Sequence, residues 1–556
     1  MPAPYGTHHE ARYDTRYETP IGSWRRPATF FWAALGATFG LANVWQFPYL
    51  ASQNGGGLFI LLYLFCLLLI TLPLMVTEAT FGRYARHGLV LAMDGFVSAA
   101  RASRWWIWAG RLGILAAFLV LSFTAVFGAI ALAYVFYGAI GRFIGADQPE
   151  AAEILAGFVS SPDEYRAFMA WHGFFLLLVV WVSMQGVVHG VERAVRAVTP
   201  IMLLLVASFC GLAAWRGEFN QAVDTVLRFD PGSLTLQSLQ SALFHAFFTL
   251  GLGMGVWTLF GAYTPVGTRL KRSILAVVLM DTLVAIGAGL AIYSIVPGGP
   301  EMAGERGFNL LFLSLPVAIA DFPGSQFLLA SVYLLIVMVV WSTSLALLEP
   351  VVGWFREWIG APRELSVLLV GLAVWLLGLG SLFSFNIWAG LDLVGGSFFR
   401  WLELFAGGIL VPLVSVLIAL FAGWYLTRTL ALRILGDTPG LFGRIWLWVM
   451  RLVLPVVVAY IGLQYSVTGV LSMCDRSTKA IWCQYVAGAP QPTPAPIEGQ
   501  SGKPGDDEAL GGPGAKEPPK SDGDGSPGSS RDKTPENGSP GKDAPATTED
   551  VLFQSA

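Results

Sequence analysis

Charge is what this chain has least of. Asp, Glu, Lys and Arg make up 13% of its 556 residues, about half the share usual in a soluble globular chain. That scarcity excludes a string of soluble domains, which length alone would allow, and the basic face of a nucleic-acid binder. Cysteine is also sparse, at 4 residues, too few for a secreted disulfide scaffold. Residues 1–23 are polar and have no apolar core, so no secretory signal peptide is expected there.

Apolar residues are abundant instead, at 55%, with 20 Trp. They fall into runs of about 20 residues, the length that crosses a bilayer as a helix. Eleven spans are predicted: about 28–50, 57–81, 106–140, 168–187, 196–216, 237–263, 274–297, 326–355, 364–383, 398–426 and 445–468. The expected fold is therefore an all-α polytopic membrane protein whose medium is the lipid bilayer. Basic residues gather in alternate loops: Arg83, Arg86, Arg101 and Arg104, then Arg193 and Arg196, then Arg269, Lys271 and Arg272. Arg356 with Arg363, and Arg428 with Arg433, continue the pattern. The intervening loops are more acidic, as at Asp147, Glu150, Glu153, Asp163 and Glu164. The positive-inside rule then predicts a cytoplasmic N-terminus, an extracytoplasmic C-terminus and residence in the cell (inner) membrane.

The chain divides into a cytoplasmic segment 1–23, a membrane domain 24–468 of eleven spans, an extracytoplasmic segment 469–486 and a tail 487–556. Cys66 and Cys210 fall inside spans, where small apolar packing is the ordinary role. Cys474 and Cys483 follow the last span on the oxidising side and read either as a disulfide or as two free thiols. The tail is rich in Pro, Gly, Ser, Asp and Lys and is expected to be disordered. Its last residues, from Val551 on, resemble a viral-protease cleavage site and read either as ordinary tail or as an artificial remnant.

Two spans carry the marks of interruption. Span 1 contains Gly36, Gly40 and Asn43, followed by Gln46 and Pro48; span 6 contains Thr249 among Gly251, Gly253 and Gly255. Each is the first helix of a five-helix half. Irregular backbone at membrane depth survives only where it lines a cavity, and glycine-broken segments at matching places in two halves point to a transporter's binding site. Glycines that merely let helices pack closely are the alternative. Polar groups cluster nearby: Asn43, Thr249, Asp281, the run Ser342 to Ser344, and Glu349 before Pro350. A charged group at that depth is costly and points to function, whereas Ser and Thr often bond the carbonyl one turn back. No nucleophile–base pair or metal-ligand constellation accompanies the breaks, so no enzyme is expected.

The stretch Phe39-Gly-Leu-Ala-Asn-Val-Trp-Gln-Phe-Pro-Tyr49, followed by Asn54-Gly-Gly-Gly57, resembles the first-helix signature of the neurotransmitter:sodium symporters. Glu78-Ala-Thr-Phe-Gly-Arg83 resembles their motif closing helix 2. Further stretches resemble the bacterial branch: Gly113 to Ser122, Ala246 to Gly255, Asp281 to Val284, Leu347 to Glu349 and Leu420 to Trp424. The resemblance implies a LeuT-type fold of two inverted five-helix repeats, with substrate held between broken helices 1 and 6. It implies two sodium ions as cofactors. The first would be held by Thr38, Asn43, Thr249 and Asp281. The second would be held by the carbonyls of Gly36, Phe39 and Val339 with the hydroxyls of Ser342 and Thr343. Substrate would meet Thr38, Leu41, Ala42, Val120, Thr124 and Phe248, and also Thr249, Gly251, Met254, Thr343 and Leu347. The gates would be Gln46, Phe248 and Glu403 outside, and Trp24, Tyr263 and Glu357 inside. Asp281 stands where chloride-dependent members carry Asn, with Ala285 one turn on. A fixed carboxylate there implies chloride independence. Tyr63 and His245 match chloride-site neighbours, His245 reading either as an interior histidine or as a proton carrier.

Some positions depart from that pattern. Gly40 replaces the Asp of monoamine transporters, which favours a substrate bringing its own acid group. Thr124 replaces a tyrosine, Gln46 the outer-gate arginine, and Ile21 the inner one; Arg400, and Arg25 or Arg26, are the candidate replacements. The expected function is sodium-coupled import of an amino acid or related small zwitterion by alternating access. The alternatives are proton coupling on the same fold and a non-transporting membrane receptor.

Overall fold

The computed structural model describes residues 21–296, 308–320, 322–391, 393, 395–436 and 440–476. The tail 487–556, Cys483, and the side chain of Cys474 lie outside what is described. Among the described residues the fold is helical, and β-pairing is confined to two isolated bridges, Gly56 with Phe229 and Leu393 with Gly396.

Nine of the described helices are long and apolar enough to cross a membrane. The elements that matter below are α1 (Thr29–Thr38), α2 (Leu41–Gln53), α3 (Gly57–Ala85) and α4 (Leu89–Ala99), then α5 (Arg104–Ala139), α6 (Gln148–Val159), α7 (Tyr165–Met184) and α8 (Val187–Arg216). They continue with α9 (Phe219–Leu227), α10 (Leu236–Phe248), α11 (Val256–Tyr263), α12 (Leu270–Ile295) and α13 (Leu310–Ala320). The last are α14 (Ser325–Ile359), α15 (Arg363–Phe383), α16 (Phe398–Tyr425), α17 (Arg428–Leu435) and α18 (Gly443–Met473). The expected first and sixth spans are each present as a pair of short helices, α1 with α2 and α10 with α11. The fifth begins earlier than its apolar run, because Arg193 and Arg196 continue the helix rather than sit in a loop.

α5 and α14 run against each other along their length and form the centre of the molecule. α7 and α15 flank them on one side. Large apolar side chains such as Leu61, Phe65, Leu177 and Trp181 point outward, which suits lipid and not water. α3 and α11 approach until only glycine fits between them. A Cβ on Gly82 would lie 1.6 Å from the Thr258 carbonyl oxygen, and one on Gly261 would lie 1.9 Å from that of Ala79. Such close approach through small residues is how membrane helices gain packing without a hydrophobic driving force. α8 opens with a π turn, Val187–Glu192, after Gly186 at φ +94°.

Candidate ion and substrate site

Each interrupted span breaks for a readable reason. α1 ends at Thr38, and Gly40 adopts an extended conformation (φ −96°, ψ 175°) before α2 starts. That backbone does not require glycine. What Gly40 provides is space, since a Cβ there would meet only the Thr38 carbonyl, 3.8 Å away. Between α10 and α11 the backbone does require glycine: Gly251, Gly253 and Gly255 have φ of +57°, +75° and +73°, a region that L side chains avoid. Three such residues in alternation unwind the chain over two turns.

The breaks release backbone groups that need partners. In the first, the Asn43 amide Nδ2 reaches the Thr38 carbonyl at 3.3 Å. In the second, Trp257 Nε1 donates to the Leu250 carbonyl at 2.7 Å, and Gly253 N–H donates to the buried carboxylate of Glu78 at 2.9 Å. Glu78 was legible only as part of a motif. Its role, satisfying unwound backbone from a neighbouring helix, has no local sequence signal.

The four residues assigned to the first ion site come together where the breaks face each other. Asn43 Nδ2 donates to Asp281 Oδ1 at 2.7 Å, and Thr249 Oγ1 donates to Asn43 Oδ1 at 2.7 Å. Thr38, Asn43 and Asp281 are fully buried. Asp281 Oδ2 is buried with no hydrogen-bond partner among the described residues. An uncompensated carboxylate oxygen in such a place is expensive, and carboxylate, amide, hydroxyl and carbonyl oxygens suit a hard cation. The set fits sodium.

The second assigned site is partly assembled. Ser342 Oγ lies 2.6 Å from the Gly36 carbonyl and 3.0 Å from that of Val339, so α1 and α14 share one hydroxyl. Thr343 Oγ1 donates to Val339 O at 3.2 Å. Phe39 caps α1 in a non-helical conformation (φ −68°, ψ 80°).

Around these oxygens some interior positions keep partial exposure: Gly40, Leu41 and Ala42 on the first break, Val120 and Thr124 on α5, and Phe248 and Gly251 on the second. Thr343 alone is not fully buried between Val339 and Gly353. Met254 and Leu347 are buried beside them. Leu41 and Ala42 open α2, where N–H groups have no partner within the helix and attract anions.

The outer positions form one connected group. Arg400 Nη1 donates to Glu403 Oε2 at 2.9 Å, Tyr465 Oη donates to Glu403 Oε1, and the Tyr465 ring packs on Phe248 at 5.7 Å. Gln46 is half-buried on α2. On the inner side the Trp24 ring is buried against Phe260 and Tyr263, and the Trp24 backbone N–H donates to the Tyr263 carbonyl at 2.9 Å. Glu357 does not receive Arg25 or Arg26. It accepts from Gly88 N–H at 3.0 Å and contacts His87 Nδ1 at 3.1 Å, while the two arginines expose their side chains. The physical reason is reach, because the Arg25 and Arg26 backbone N–H groups are taken by Glu192 on α8. Beneath this lies a network that sequence reasoning did not assemble: Glu349 Oε2 accepts from Tyr263 Oη at 2.8 Å, and Oε1 accepts from Ser183 Oγ at 2.6 Å and from Arg363 Nη2. Glu349 is legible as a charge at membrane depth; its partner Arg363 reads as a loop arginine.

Two broken membrane helices that meet over converging oxygens, with aromatic and ion-paired layers on either side, define a secondary transporter. The family model described as the sodium:neurotransmitter symporter family matches residues 22–142. A sodium-dependent transporter of Bacillus subtilis, YhdH, is 29% identical over 81% of this chain and 98% of its own length. The sodium-dependent serotonin transporter of Drosophila melanogaster is 22% identical over 77% and 74%. The crystal structure of MhsT in complex with L-phenylalanine superposes with a TM-score of 0.69 at 28% identity, covering 79% of this chain and 99% of MhsT. Over most of its length the chain is similar to the bacterial side of the sodium:neurotransmitter symporter family. Its long apolar helices make it a multi-pass membrane protein, and the relatives it resembles are sodium-dependent transporters rather than enzymes.

Proposed function

We propose that this protein is a sodium-coupled symporter that imports an amino acid or a related small zwitterion by alternating access, without chloride. The observation that carries the reading is the buried cluster of Thr38, Asn43, Thr249 and Asp281, in which one carboxylate oxygen stays unpaired between two broken helices. A cation there would tie α2, α10 and α12 together. A second, held by Gly36, Phe39, Val339, Ser342 and Thr343, would tie α1 to α14. Counting each broken pair once gives eleven crossings, which put the termini on opposite sides, and the arginine-rich alternate loops support an N-terminus in the cytoplasm and a C-terminus outside the inner membrane.

Coupling follows from shared ligands. Ions at both breaks favour the outward-facing arrangement, and the substrate's carboxylate completes the first ion's shell in the space left by Gly40, against the N–H groups of Leu41 and Ala42. Its side chain would lie among Val120, Thr124, Met254, Thr343 and Leu347, a mainly apolar wall. Moving two charges inward through 100 mV supplies about 4.6 kcal/mol, a substrate gradient of about three orders of magnitude. Asp281 supplies the fixed negative charge beside the first ion, so no chloride is needed. L-phenylalanine in MhsT supports the amino-acid class, while Thr124 and Gly251 leave room for a larger zwitterion, such as a β- or γ-amino acid or a sulfonate. Proteoliposome uptake tests the reading. Accumulation driven by a sodium gradient is expected, and accumulation driven equally well by a pH gradient alone would replace sodium with protons.

A further inference from the structure

The inner half of the first span begins without a cap of its own. α1 starts after Ala28, whose side chain makes no capping bond, and its first turn holds no acidic residue. Four N–H groups open every helix without intrahelical partners and carry a partial positive charge. Here an anion from another element holds the turn that leads into the helix. Glu192, the last residue of the π turn that opens α8, accepts from Arg25 N–H at 2.8 Å, from Arg26 N–H at 3.1 Å and from Thr29 Oγ1 at 2.8 Å. Glu192 is 4% exposed, so water competes little for these bonds. The same π turn seats the preceding residues, since a Cβ on Gly22 would lie 2.9 Å from Val187 Cγ2. Further along, Thr199 Oγ1 donates to the Trp32 carbonyl at 3.0 Å. The acid at the inner gate position, Glu357, is occupied by Gly88 and His87. The approach to α1 is therefore fastened by α8.

We propose that Glu192 is the inner latch of the transport cycle, a positioning residue whose carboxylate holds the turn before α1 and the Thr29 hydroxyl while the cytoplasmic side is closed and must let go for α1 to swing out. The proposal rests on the alternating-access reading. Thr29, Arg25 and Arg26 are local to the moving segment, whereas Glu192 belongs to a helix rooted elsewhere, so all three bonds break in one displacement. α1 also carries the Gly36 carbonyl that meets Ser342. An ion beside that carbonyl and the carboxylate of Glu192 would hold the two ends of one short helix, and losing either would ease release of the other.

The test is hydrogen–deuterium exchange on the full chain in lipid nanodiscs, in NaCl and in KCl. Wild type is compared with Glu192→Ala and with Thr29→Val, which removes one bond and keeps the carboxylate. Exchange across residues 21–38 is expected to accelerate about tenfold in Glu192→Ala and less in Thr29→Val. Peptides from α5 and α15 should be unchanged, and the sodium concentration for half-maximal protection of α1 should rise in the same order, as a competing inward-facing population requires. Unchanged exchange over 21–38 in both variants would overturn the latch, as would uniform acceleration with an unmoved sodium midpoint, the signature of a merely structural residue. Should Glu192→Ala fail to accumulate, Thr29→Val decides alone. Absence of sodium protection in wild type would sink the sodium reading and leave the latch to be judged on the KCl comparison.

Discussion

Replacing Asp281 by Asn should make two stability curves cross. Asp281 Oδ1 accepts from Asn43 at 2.7 Å, while Oδ2 is buried and has no hydrogen-bond partner among the described residues. An unsatisfied buried polar group costs about 1–3 kcal/mol, more when charged. Neutralising it should therefore raise thermal stability in KCl. In NaCl the order should reverse. A ligand at a hundred times its dissociation constant stabilises the native state by about 2.7 kcal/mol, and the variant forfeits that gain. Removing one member of a buried charged pair costs about 3–5 kcal/mol, which lowers sodium affinity by at least about a hundredfold. The assay is a thermal-shift titration with NaCl at constant ionic strength, repeated with gluconate in place of chloride. Wild type should be indifferent to the anion, and the variant should regain part of its sodium response in chloride, which restores a negative charge beside the first ion. A variant whose sodium midpoint stays within about threefold of wild type would remove Asp281 from the site and refute the reasoning.

Three further outcomes are expected. Thr343→Ala should raise the sodium concentration for half-maximal binding by up to about tenfold, as loss of one hydroxyl ligand would; an unchanged midpoint in the same titration would leave Thr343 bonding only the Val339 carbonyl. Gly253→Ala should lower the melting temperature and abolish substrate binding, because its φ of +75° is strained for alanine and the added Cβ would lie 2.6 Å from Ser415 Oγ and 2.8 Å from the Val411 carbonyl. Normal melting and ligand-induced shift would mean the unwound turn tolerates a side chain. Arg363→Met should destabilise by about 3–5 kcal/mol by stranding Glu349, and adding Glu349→Gln should recover much of it, measured as monodisperse yield and melting temperature; no recovery would mean the two residues are not coupled.

Much of the fold is legible because lipid imposes a simple rule: apolar runs of spanning length must be helices. The breaks are legible too, since Gly251, Gly253 and Gly255 announce a backbone that only glycine adopts freely. Local pattern carries no information about partners far away in the chain. Glu192 reads as an ordinary loop acid until the fold brings the segment 25–29 to it across more than 160 positions. Glu78 and Arg363 are of the same kind, each answering a buried group on another helix. The inner acid Glu357 is legible by position but not by partner, because Gly88 and His87 reach it from the loop between α3 and α4.

The contact between α3 and α11 restricts how the molecule can open. Gly82 and Gly261 let backbone touch backbone, and such a seam cannot loosen gradually: any separation forfeits the whole contact, while any sliding drives a carbonyl into a Cα. The two helices therefore travel as one solid piece. If the proposed cycle opens a passage toward the cytoplasm, something else must bend, which leaves the short helix before Gly40, tethered at its start by Glu192, as the hinged door and the glycine seam as its frame.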